Sequence, residues 1–556
     1  MKPTIFSIVA LFAEVIVSQL TIETTTGIFT GLVDPNFPNT RQFRAIPFAE
    51  PPVVSRRWLP PKRLTPSTEH HYATRFPPSC PQFVTAEPSF YNSNLSEGNL
   101  IYNGNQNAPP MSSGNIPQNI PRNDSPSPNT LSIDSSGLVG EATSEDCLYL
   151  AIWTPTLNAK QTNTNDGGLP VLFFMTGGGF IMGGIDIPWQ MPTSWVDRSQ
   201  SHIVVTINYR VNIFGFPNAR GLKNGEQNLG ILDQRMALEW IRDNIAAFGG
   251  DPTRITQWGR SAGALSADIH AYAFHDDPIA QGYYLNSGNA FTYTPFMDPT
   301  HSNFTYLARQ MGCDSVYVDK EEEAVAELEC MRQKSFIQIS NFYGNYYDSG
   351  VEPWISFSLV PDDIIVFSNY TARAEEGKLA RVPTIISSTS NEYSTLVDWP
   401  LGNLTAGPDQ SVVTAYDIQV ACKWFDSIVY RNKLDVPVFA FQTAGQFPNL
   451  NYYSWLGAYH ASDIPLVFGT YELLDGVAPT TDFQIQNSKS IQDHIFAFMN
   501  DPYHGPQMLG WNPIVASEPN LGDMIRFGSD GKVWQPIHGV DVFGVCVGFG
   551  EYDPFP

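Results

Sequence analysis

The sequence predicts an α/β protein with a mostly parallel central β-sheet and helices on both faces. Its 556 residues are 42% hydrophobic and 13% aromatic, which is the composition of a large packed globular protein. Short apolar runs alternate with helical patterns from residue 171 to the last third of the chain. Strands of a parallel sheet are buried on both faces, so they are continuous apolar runs of this kind.

The predicted elements follow one another along the chain. Five short runs predict strands, at residues 171–175, 203–208, 255–258, 384–387 and 438–441. The runs at 255–258 and 384–387 mix apolar and polar residues and continue the strand pattern. Between the second and the third run, apolar residues recur at helical spacing from residue 233 to residue 248. The sequence contains no internal repeat and no obvious linker, so we expect a single domain over residues 19–556.

One segment, residues 88–140, breaks this alternation. It is rich in Asn, Ser, Pro and Gly and shows little periodicity. A loop of this length in a compact domain is either functional or disordered. The sequence leaves two interpretations open, a lid over an active site or an insertion without such a role.

The N-terminus has the pattern of a secretory signal peptide. Lys2 precedes a mostly apolar run and Ser18 offers a small residue near a cleavage point, so residues 1–18 are predicted to be removed. The alternative is an ordinary buried segment. Glu14 interrupts the run, and the uncharged residues 3–13 are too few for a transmembrane helix. No apolar tail follows Tyr552, so we expect a secreted protein without a stable membrane anchor.

Six cysteines, an even number, favour the same oxidising compartment. Spacing suggests Cys80 with Cys147, Cys313 with Cys330 and, as the remainder, Cys422 with Cys546. Six cysteines allow about 15 connectivities, so spacing alone proves none of these pairs. Candidate glycosylation sites are the N-x-Ser/Thr sequons at Asn94, Asn123, Asn303, Asn369 and Asn403.

Charge and motif content exclude several classes of function. The chain has 31 basic and 55 acidic residues, for a net charge of −24, and this surface would repel the phosphates of nucleic acids and anionic lipid headgroups. It has no H-E-x-x-H motif and no paired C-x-x-C motif, so no metal site is predicted. We predict no cofactor, and the sequence leaves the oligomeric state open.

The motif G-R-S-A-G at residues 259–263 predicts a nucleophile elbow. It follows the predicted strand at residues 255–258 and precedes a helix-like stretch at 264–273. A nucleophile elbow requires this context, because a tight strand-to-helix turn lifts the serine hydroxyl above the sheet. Ser261 is the predicted nucleophile.

A second glycine motif, T-G-G-G-F at residues 176–180, directly follows the first predicted strand. Successive glycines allow backbone N–H groups to converge on the negative oxygen of a tetrahedral intermediate. The expected donors are the N–H groups of Gly178, Gly179 and Ala262. A phosphate-binding loop is excluded, since no Lys-Ser/Thr pair follows the glycines.

An acyl-transfer site also requires an acid and a base, in the chain order Ser, Asp/Glu, His. His460 is the best of the ten histidines because it lies in a loop after a predicted strand. Glu392, just beyond the strand at residues 384–387, is the best acid. Position alone does not exclude Asp398 or Asp463.

The motif S-E-D-C-L-Y-L at residues 144–150 resembles the signature of type-B carboxylesterases and lipases, the cholinesterase-like branch of the α/β-hydrolase fold. Further similar stretches are residues 208–210, 228–235, 244–252, 259–263 and 457–469. The matches cover nearly the whole mature chain, and its overall sequence pattern is similar to that of secreted fungal members.

The resemblance implies an α/β-hydrolase fold and specific roles for the residues singled out above. Ser261 would be the nucleophile, Glu392 the acid and His460 the base. Gly178, Gly179 and Ala262 would form the oxyanion hole. The resemblance also supports the first two disulfides, Cys80 with Cys147 and Cys313 with Cys330.

The chain departs from this family's pattern at four places. Arg260 stands where many relatives have Glu, and a cation there disfavours the imidazolium of His460 unless it is paired or turned away. Tyr393 stands where the family usually has Gly, and Thr176 where it often has His or Tyr. No Trp lies between Cys80 and Cys147. The family's choline esterases use such a Trp, so choline esters are disfavoured substrates.

We therefore expect a secreted serine carboxylesterase or lipase that acts on small-molecule or lipid esters through an acyl-enzyme. Two alternatives use the same fold. A biosynthetic esterase or acyl transferase would have the same triad and pass the acyl group to an alcohol. A non-catalytic adhesion protein would bind a partner, although all three triad positions are present here in order.

Overall fold

The computed structural model describes residues 20–83, 143–156, 168–292, 298–314, 319–398, 406–451 and 453–556. Two predicted segments, the signal peptide at 1–18 and the insertion at 88–140, lie outside the described residues, as do the sequons at Asn94, Asn123 and Asn403. In the described part, no helix is both long and apolar enough to cross a membrane.

The described residues form fourteen strands in two sheets. The strands are β1 Thr21–Thr24, β2 Gly27–Thr30, β3 Leu32–Asp34, β4 Phe37–Pro47, β5 His70–Tyr72, β6 Tyr149–Pro155, β7 Leu169–Met175, β8 Ile203–Ile207, β9 Gly250–Arg260, β10 Gly282–Asn286, β11 Thr384–Thr389, β12 Val438–Thr443, β13 Asp523–Phe527 and β14 Trp534–His538. Strands β1, β2 and β5 form a small sheet. The other eleven form one large sheet in the order β14-β13-β12-β11-β10-β9-β7-β8-β6-β4-β3.

The centre of the large sheet is parallel, as the sequence predicts. Every neighbouring pair from β8 through β7, β9, β10, β11 and β12 to β13 is parallel, and antiparallel pairs occur only towards the two edges. The five predicted runs correspond to strands of this centre, β7, β8, β9, β11 and β12, with Asn208 just beyond the end of β8. The fold-class prediction is therefore confirmed.

Twelve α-helices occur among the described residues. They are α1 Thr193–Ser199, α2 Asn212–Gly215, α3 Leu229–Asn244, α4 Ala262–Ala273, α5 Ser302–Gln310, α6 Lys320–Arg332, α7 Phe336–Ser349, α8 Tyr370–Glu375, α9 Gln410–Lys433, α10 Ile464–Phe468, α11 Asp482–Asn500 and α12 Val540–Phe543. The helix predicted at 233–248 corresponds to α3 and to the 3-10 helix Ile245–Phe248 that follows it, which is capped by Gly249. Gly249 has φ 94°, the left-handed geometry that commonly ends helices.

The large sheet is covered on both faces. In β7, Val171, Phe173 and Met175 belong to one apolar cluster, whereas Leu172 and Phe174 belong to another. Successive side chains of a strand point to opposite faces, so these clusters are the two layers of core on either side of the sheet. Burial on both faces is the reason that the strands are continuous apolar runs.

Three disulfides join the cysteines in the pairs that spacing suggests. Cys80 is bonded to Cys147, Cys313 to Cys330 and Cys422 to Cys546. The third links α9 to the 3-10 turn at Gly544–Val547.

The two described sequons differ in accessibility. Asn369 is exposed, whereas Asn303 is buried and its side-chain amide donates to the Ser356 carbonyl oxygen at 3.0 Å. A glycan is attached through the Asn side-chain nitrogen and occupies the surface. Asn369 is therefore the better of the two candidates.

Candidate active site

The predicted nucleophile lies in a sharp turn between β9 and α4. Ser261 stands alone between the two elements, with φ 55° and ψ −122°, a sparsely populated conformation for a residue with a side chain. A β-carbon at position 259 would lie 1.9 Å from the carbonyl oxygen of Gly263. The turn therefore requires a glycine at position 259, as a nucleophile elbow does. Ser261 itself is only partly buried.

The glycine loop after β7 lies against this elbow. Strands β7 and β9 are parallel neighbours, with Met175 opposite Gly259. A β-carbon at Gly177 would lie 2.7 Å from the Arg260 carbonyl oxygen and 3.0 Å from the Ser261 β-carbon. Gly178 is partly exposed and Gly179 exposed, and both have positive φ. The loop predicted to supply oxyanion donors is therefore adjacent to the predicted nucleophile.

The predicted acid and base are in direct contact. Glu392 follows β11 and His460 follows β12, and these strands are parallel neighbours. The Oε2 atom of Glu392 is 2.5 Å from Nδ1 of His460. The exposed fractions of the two residues are 1% and 7%. Because Nδ1 is engaged by the carboxylate, Nε2 is the ring nitrogen that remains for any proton transfer.

Three donors keep the buried Glu392 ionised. Burial by itself would raise the pKa of this carboxyl, but the charge and hydrogen bond of His460, together with the bonds described next, hold the pKa below its ordinary value. The second oxygen, Oε1, accepts from the Ser287 hydroxyl at 2.6 Å and from the Thr389 N–H at 2.8 Å. Hydrogen bonds to the charged form favour that form.

The end of β10 connects the nucleophile to the acid and base loops. The Asn286 carbonyl oxygen accepts from the Ser261 N–H at 2.8 Å. Its side-chain amide donates to Oδ2 of Asp463 at 2.9 Å, and the next residue, Ser287, donates to Glu392. Sequence reasoning did not identify Asn286 or Ser287. The available signal was a polar Asn-Ser pair ending a short strand shortly after the elbow helix.

The two alternative acids are placed differently from Glu392. Asp398 is exposed. Asp463 is buried and hydrogen-bonded to Asn286, and its burial raises its pKa to about 6. Glu392 is the carboxylate in contact with Nδ1 of His460.

Arg260 is buried beside the site, with an exposed fraction of 5%. Its guanidinium carbon would lie 3.1 Å from a β-carbon at Gly177. The positive charge of Arg260 opposes the rise in the pKa of Asp463, so the two side chains lie within each other's electrostatic field. Asp463 is thus one acidic residue close enough to interact electrostatically with the cation that the sequence places beside the predicted nucleophile.

Tyr393, the second departure, directs its ring towards α9. The ring stacks on Tyr416 with centroids 5.1 Å apart and an interplanar angle of 11°. Its N–H donates to Oδ1 of Asp417 at 2.9 Å. A tyrosine is therefore accommodated here by contacts on the side of α9, and its backbone is tied to a buried carboxyl.

The buried carboxyl of Asp417 predicts a pH dependence of stability. Burial raises its pKa to about 8, with the charge of Glu392 acting in the same direction. Between about pH 4 and pH 8 the unfolded chain releases this proton and the folded chain keeps it, so stability falls as pH rises. Asp417→Asn should remove this loss, and its thermal midpoint should exceed that of the wild type at pH 7.5 but not at pH 4.5.

Differential scanning fluorimetry at those two pH values and at pH 6 measures this difference. The control is Asp426→Asn, at a half-exposed position on the same helix α9. Its thermal midpoint should differ from that of the wild type by the same amount at all three pH values. A constant offset for Asp417→Asn as well would show that Asp417 is ionised in the folded protein.

The elbow, the adjacent glycine loop and the Glu-His pair all lie at the carboxyl ends of parallel strands, which defines an α/β-hydrolase. The family model that matches residues 18–415 is described as the Carboxylesterase family. The chain belongs to this family and is a secreted carboxylic ester hydrolase, as the sequence predicts.

Some named relatives align with most of the chain, and others align with part of it. Secreted lipase 5 of Gibberella zeae is 33% identical over 551 residues, which are 95% of this chain and 94% of the relative. Chlorogenic acid esterase of Aspergillus niger is 35% identical over 531 residues, or 93% and 92%. Acetylcholinesterase of Bungarus fasciatus is 31% identical over 321 residues, or 57% and 44%.

Proposed function

We propose that this protein hydrolyses carboxylic esters through an acyl-enzyme formed on Ser261, with His460 as the base and Glu392 as the acid of the triad. The N–H groups of Gly178, Gly179 and Ala262 would form the oxyanion hole. The observation that carries the proposal is the buried contact of 2.5 Å between Glu392 Oε2 and His460 Nδ1. These residues lie in segments that follow β11 and β12, two strands of the same parallel sheet that carries the elbow.

In the first half-reaction, Ser261 Oγ attacks the ester carbonyl carbon while Nε2 of His460 accepts the hydroxyl proton. The carbonyl oxygen becomes an oxyanion and receives hydrogen bonds from the backbone donors. Ionised Glu392 stabilises the imidazolium that forms. His460 then gives the proton to the departing alkoxide, and the alcohol leaves an acyl ester on Ser261.

In the second half-reaction, water replaces the alcohol. Nε2 of His460 takes a proton from the water as its oxygen attacks the acyl carbon, and the oxyanion again forms against the same donors. Collapse of this intermediate releases the carboxylic acid and returns the proton to Ser261 Oγ.

The relatives suggest two ester classes for the first assays. One relative is named a lipase and another a chlorogenic acid esterase, so we propose lipid esters and hydroxycinnamate esters such as chlorogenic acid as substrates. Choline esters are disfavoured because no Trp lies between Cys80 and Cys147. The proposed place of action is outside the cell, which the three disulfides and the signal-peptide pattern support.

The test is turnover of p-nitrophenyl acetate, butyrate, octanoate and palmitate and of chlorogenic acid, with and without a serine-reactive organophosphate. We expect turnover of at least one ester, full inhibition, and a single organophosphate adduct on Ser261 by peptide mass spectrometry. Turnover that persists in a fully labelled protein would contradict the proposal.

The same assay with added short-chain alcohol distinguishes hydrolase from transferase. A hydrolase should release free acid as the main product at moderate alcohol concentrations. A transferase should release mainly the new ester, because the alcohol then reaches the acyl-enzyme before water.

A further inference from the structure

The glycine loop beside Ser261 is held at its far end, at Gly183, by the side chain of Gln82. Gln82 accepts a hydrogen bond from the Gly183 N–H through Oε1 and donates one to the Gly183 carbonyl oxygen through Nε2, each at 2.9 Å. Gln82 is buried, with an exposed fraction of 6%. The pair of bonds joins residues 101 positions apart in the sequence.

Gly183 in turn lies against the start of the same loop. It has φ 135°, and a β-carbon there would lie 2.8 Å from both the Gly177 carbonyl oxygen and the Thr176 methyl carbon. Within the loop, the N–H groups of Ile181 and Met182 both donate to the Gly178 carbonyl oxygen, at 3.0 and 3.2 Å. The loop therefore closes on itself, and fixing Gly183 also fixes the position of Gly177 and Gly178.

The segment that carries Gln82 is itself anchored. Cys80 is bonded to Cys147, and its carbonyl oxygen accepts from Nε2 of Gln82 at 3.1 Å. The side-chain amide of Asn212 donates to the carbonyl oxygens of both Pro81 and Ile181, at 3.0 and 3.2 Å. Thus the segment from Cys80 to Gln82 forms a fixed support against which the glycine loop is aligned.

We propose that Gln82 is a positioning residue for the oxyanion hole, acting by clamping Gly183 and so fixing the Gly178 and Gly179 N–H groups beside Ser261. This inference rests on the function proposed above. A carboxamide is required because a single side chain must both donate and accept. Oxyanion donors act only if they are held in place before the charge develops, so a small displacement of the loop lowers kcat.

The test variant is Gln82→Met, which keeps the length and burial but removes both hydrogen bonds. The chain provides a matched control in Gln227, which is 4% exposed and makes the same pair of bonds to the backbone of Ala219, at 3.0 and 3.1 Å. Gln227→Met removes an equivalent clamp from a loop outside the proposed site. Both variants should lose thermal stability to a similar degree.

Only Gln82→Met should lose turnover. We expect kcat on p-nitrophenyl butyrate to fall by about 10- to 100-fold with KM changed less than about threefold. The reason is that the displaced Gly178 and Gly179 N–H groups bind the oxyanion, which forms only in the transition state. Affinity for a trifluoromethyl ketone, whose serine adduct places an oxyanion in the hole, should fall by a similar factor. Gln227→Met should keep wild-type kcat and wild-type affinity for the ketone.

If Gln82→Met does not fold, Gln82→Glu provides the measurement. Glutamate has the same length and keeps an acceptor for the Gly183 N–H, but its carboxylate has no N–H to donate to the Gly183 carbonyl oxygen. The kcat of this variant should therefore be lower than that of the wild type. Folded Gln82 variants with wild-type kcat and ketone affinity would overturn the inference, as would an equal loss of kcat in Gln227→Met.

Failure of the underlying function has a different signature. If Ser261 is not the nucleophile, Ser261→Ala retains turnover, and its sensitivity to the ketone matches that of the wild type. If only the role of Gln82 is wrong, Ser261→Ala is inactive and the ketone inhibits the wild type, while Gln82→Met turns over normally.

Discussion

Replacing Ser261 with alanine should lower kcat for p-nitrophenyl butyrate by about 10⁶-fold, the loss seen when a triad that acts as a unit loses its nucleophile. This substitution removes only the hydroxyl, and alanine fits the elbow because its β-carbon takes the place of the serine β-carbon. The strained φ of 55° at this position is also unfavourable for alanine, so the thermal midpoint should change little. Stopped assays over several hours with high enzyme concentration measure the residual rate.

The control for this variant is Ser349→Ala, an exposed serine at the end of α7. It should retain wild-type kcat and still react with the organophosphate. Ser261→Ala should lose the adduct together with its activity. Residual activity above about one tenth of the wild-type value would show that the nucleophile has been assigned to the wrong residue.

The features predicted from the sequence are those set by local chemistry. The elbow at Ser261 requires a strand, a turn of small residues and a helix, and all three are adjacent in the chain. The buried strands are visible because burial on both faces favours apolar residues at most positions of a strand. In the same way, the glycine loop follows β7 directly, so its place at the sheet edge follows from that of the strand.

The features that the sequence did not reveal depend on contacts between distant residues. Ser287 and Glu392 are 105 positions apart, and nothing in the sequence around either residue indicates the other. Strand β10 carries Asn286 at its end and was not predicted, since its five residues include glycine and two tyrosines rather than an aliphatic run. Its position between β9 and β11 follows from the topology of the sheet.

The two unusual residues beside the proposed triad illustrate the same limit. The sequence shows that a cation, Arg260, precedes the predicted nucleophile, but Asp463, an acidic residue that interacts with it electrostatically, lies far away in the chain. Likewise, Tyr393 fits its loop because α9 provides both a stacking partner and a buried acceptor for its N–H. Compensation of this kind is a property of packing, so it is found only once the fold is known.

Replacing Glu392 with glutamine should lower kcat by about 10⁴-fold while the fold remains intact, as amide substitution of a triad acid does elsewhere. The structure provides the reason. Ser287 and Thr389 both donate to Oε1, so the glutamine carbonyl oxygen is expected to take that position and to direct its NH₂ group at Nδ1 of His460. Nδ1 must then be an acceptor, which places the ring proton on Nε2, where it blocks the removal of a proton from Ser261.

Parallel variants of the two alternative acids complete this test, measured as kcat at pH 8 on p-nitrophenyl butyrate. Asp398→Asn alters an exposed side chain and should retain wild-type kcat. Asp463→Asn keeps the packing at a position hydrogen-bonded to Asn286, and its loss of kcat should be far smaller than that of Glu392→Gln. If Glu392→Gln stays within about tenfold of the wild type while either aspartate variant is inactive, the acid of the triad is that aspartate, because amide substitution of the true acid selects the wrong tautomer.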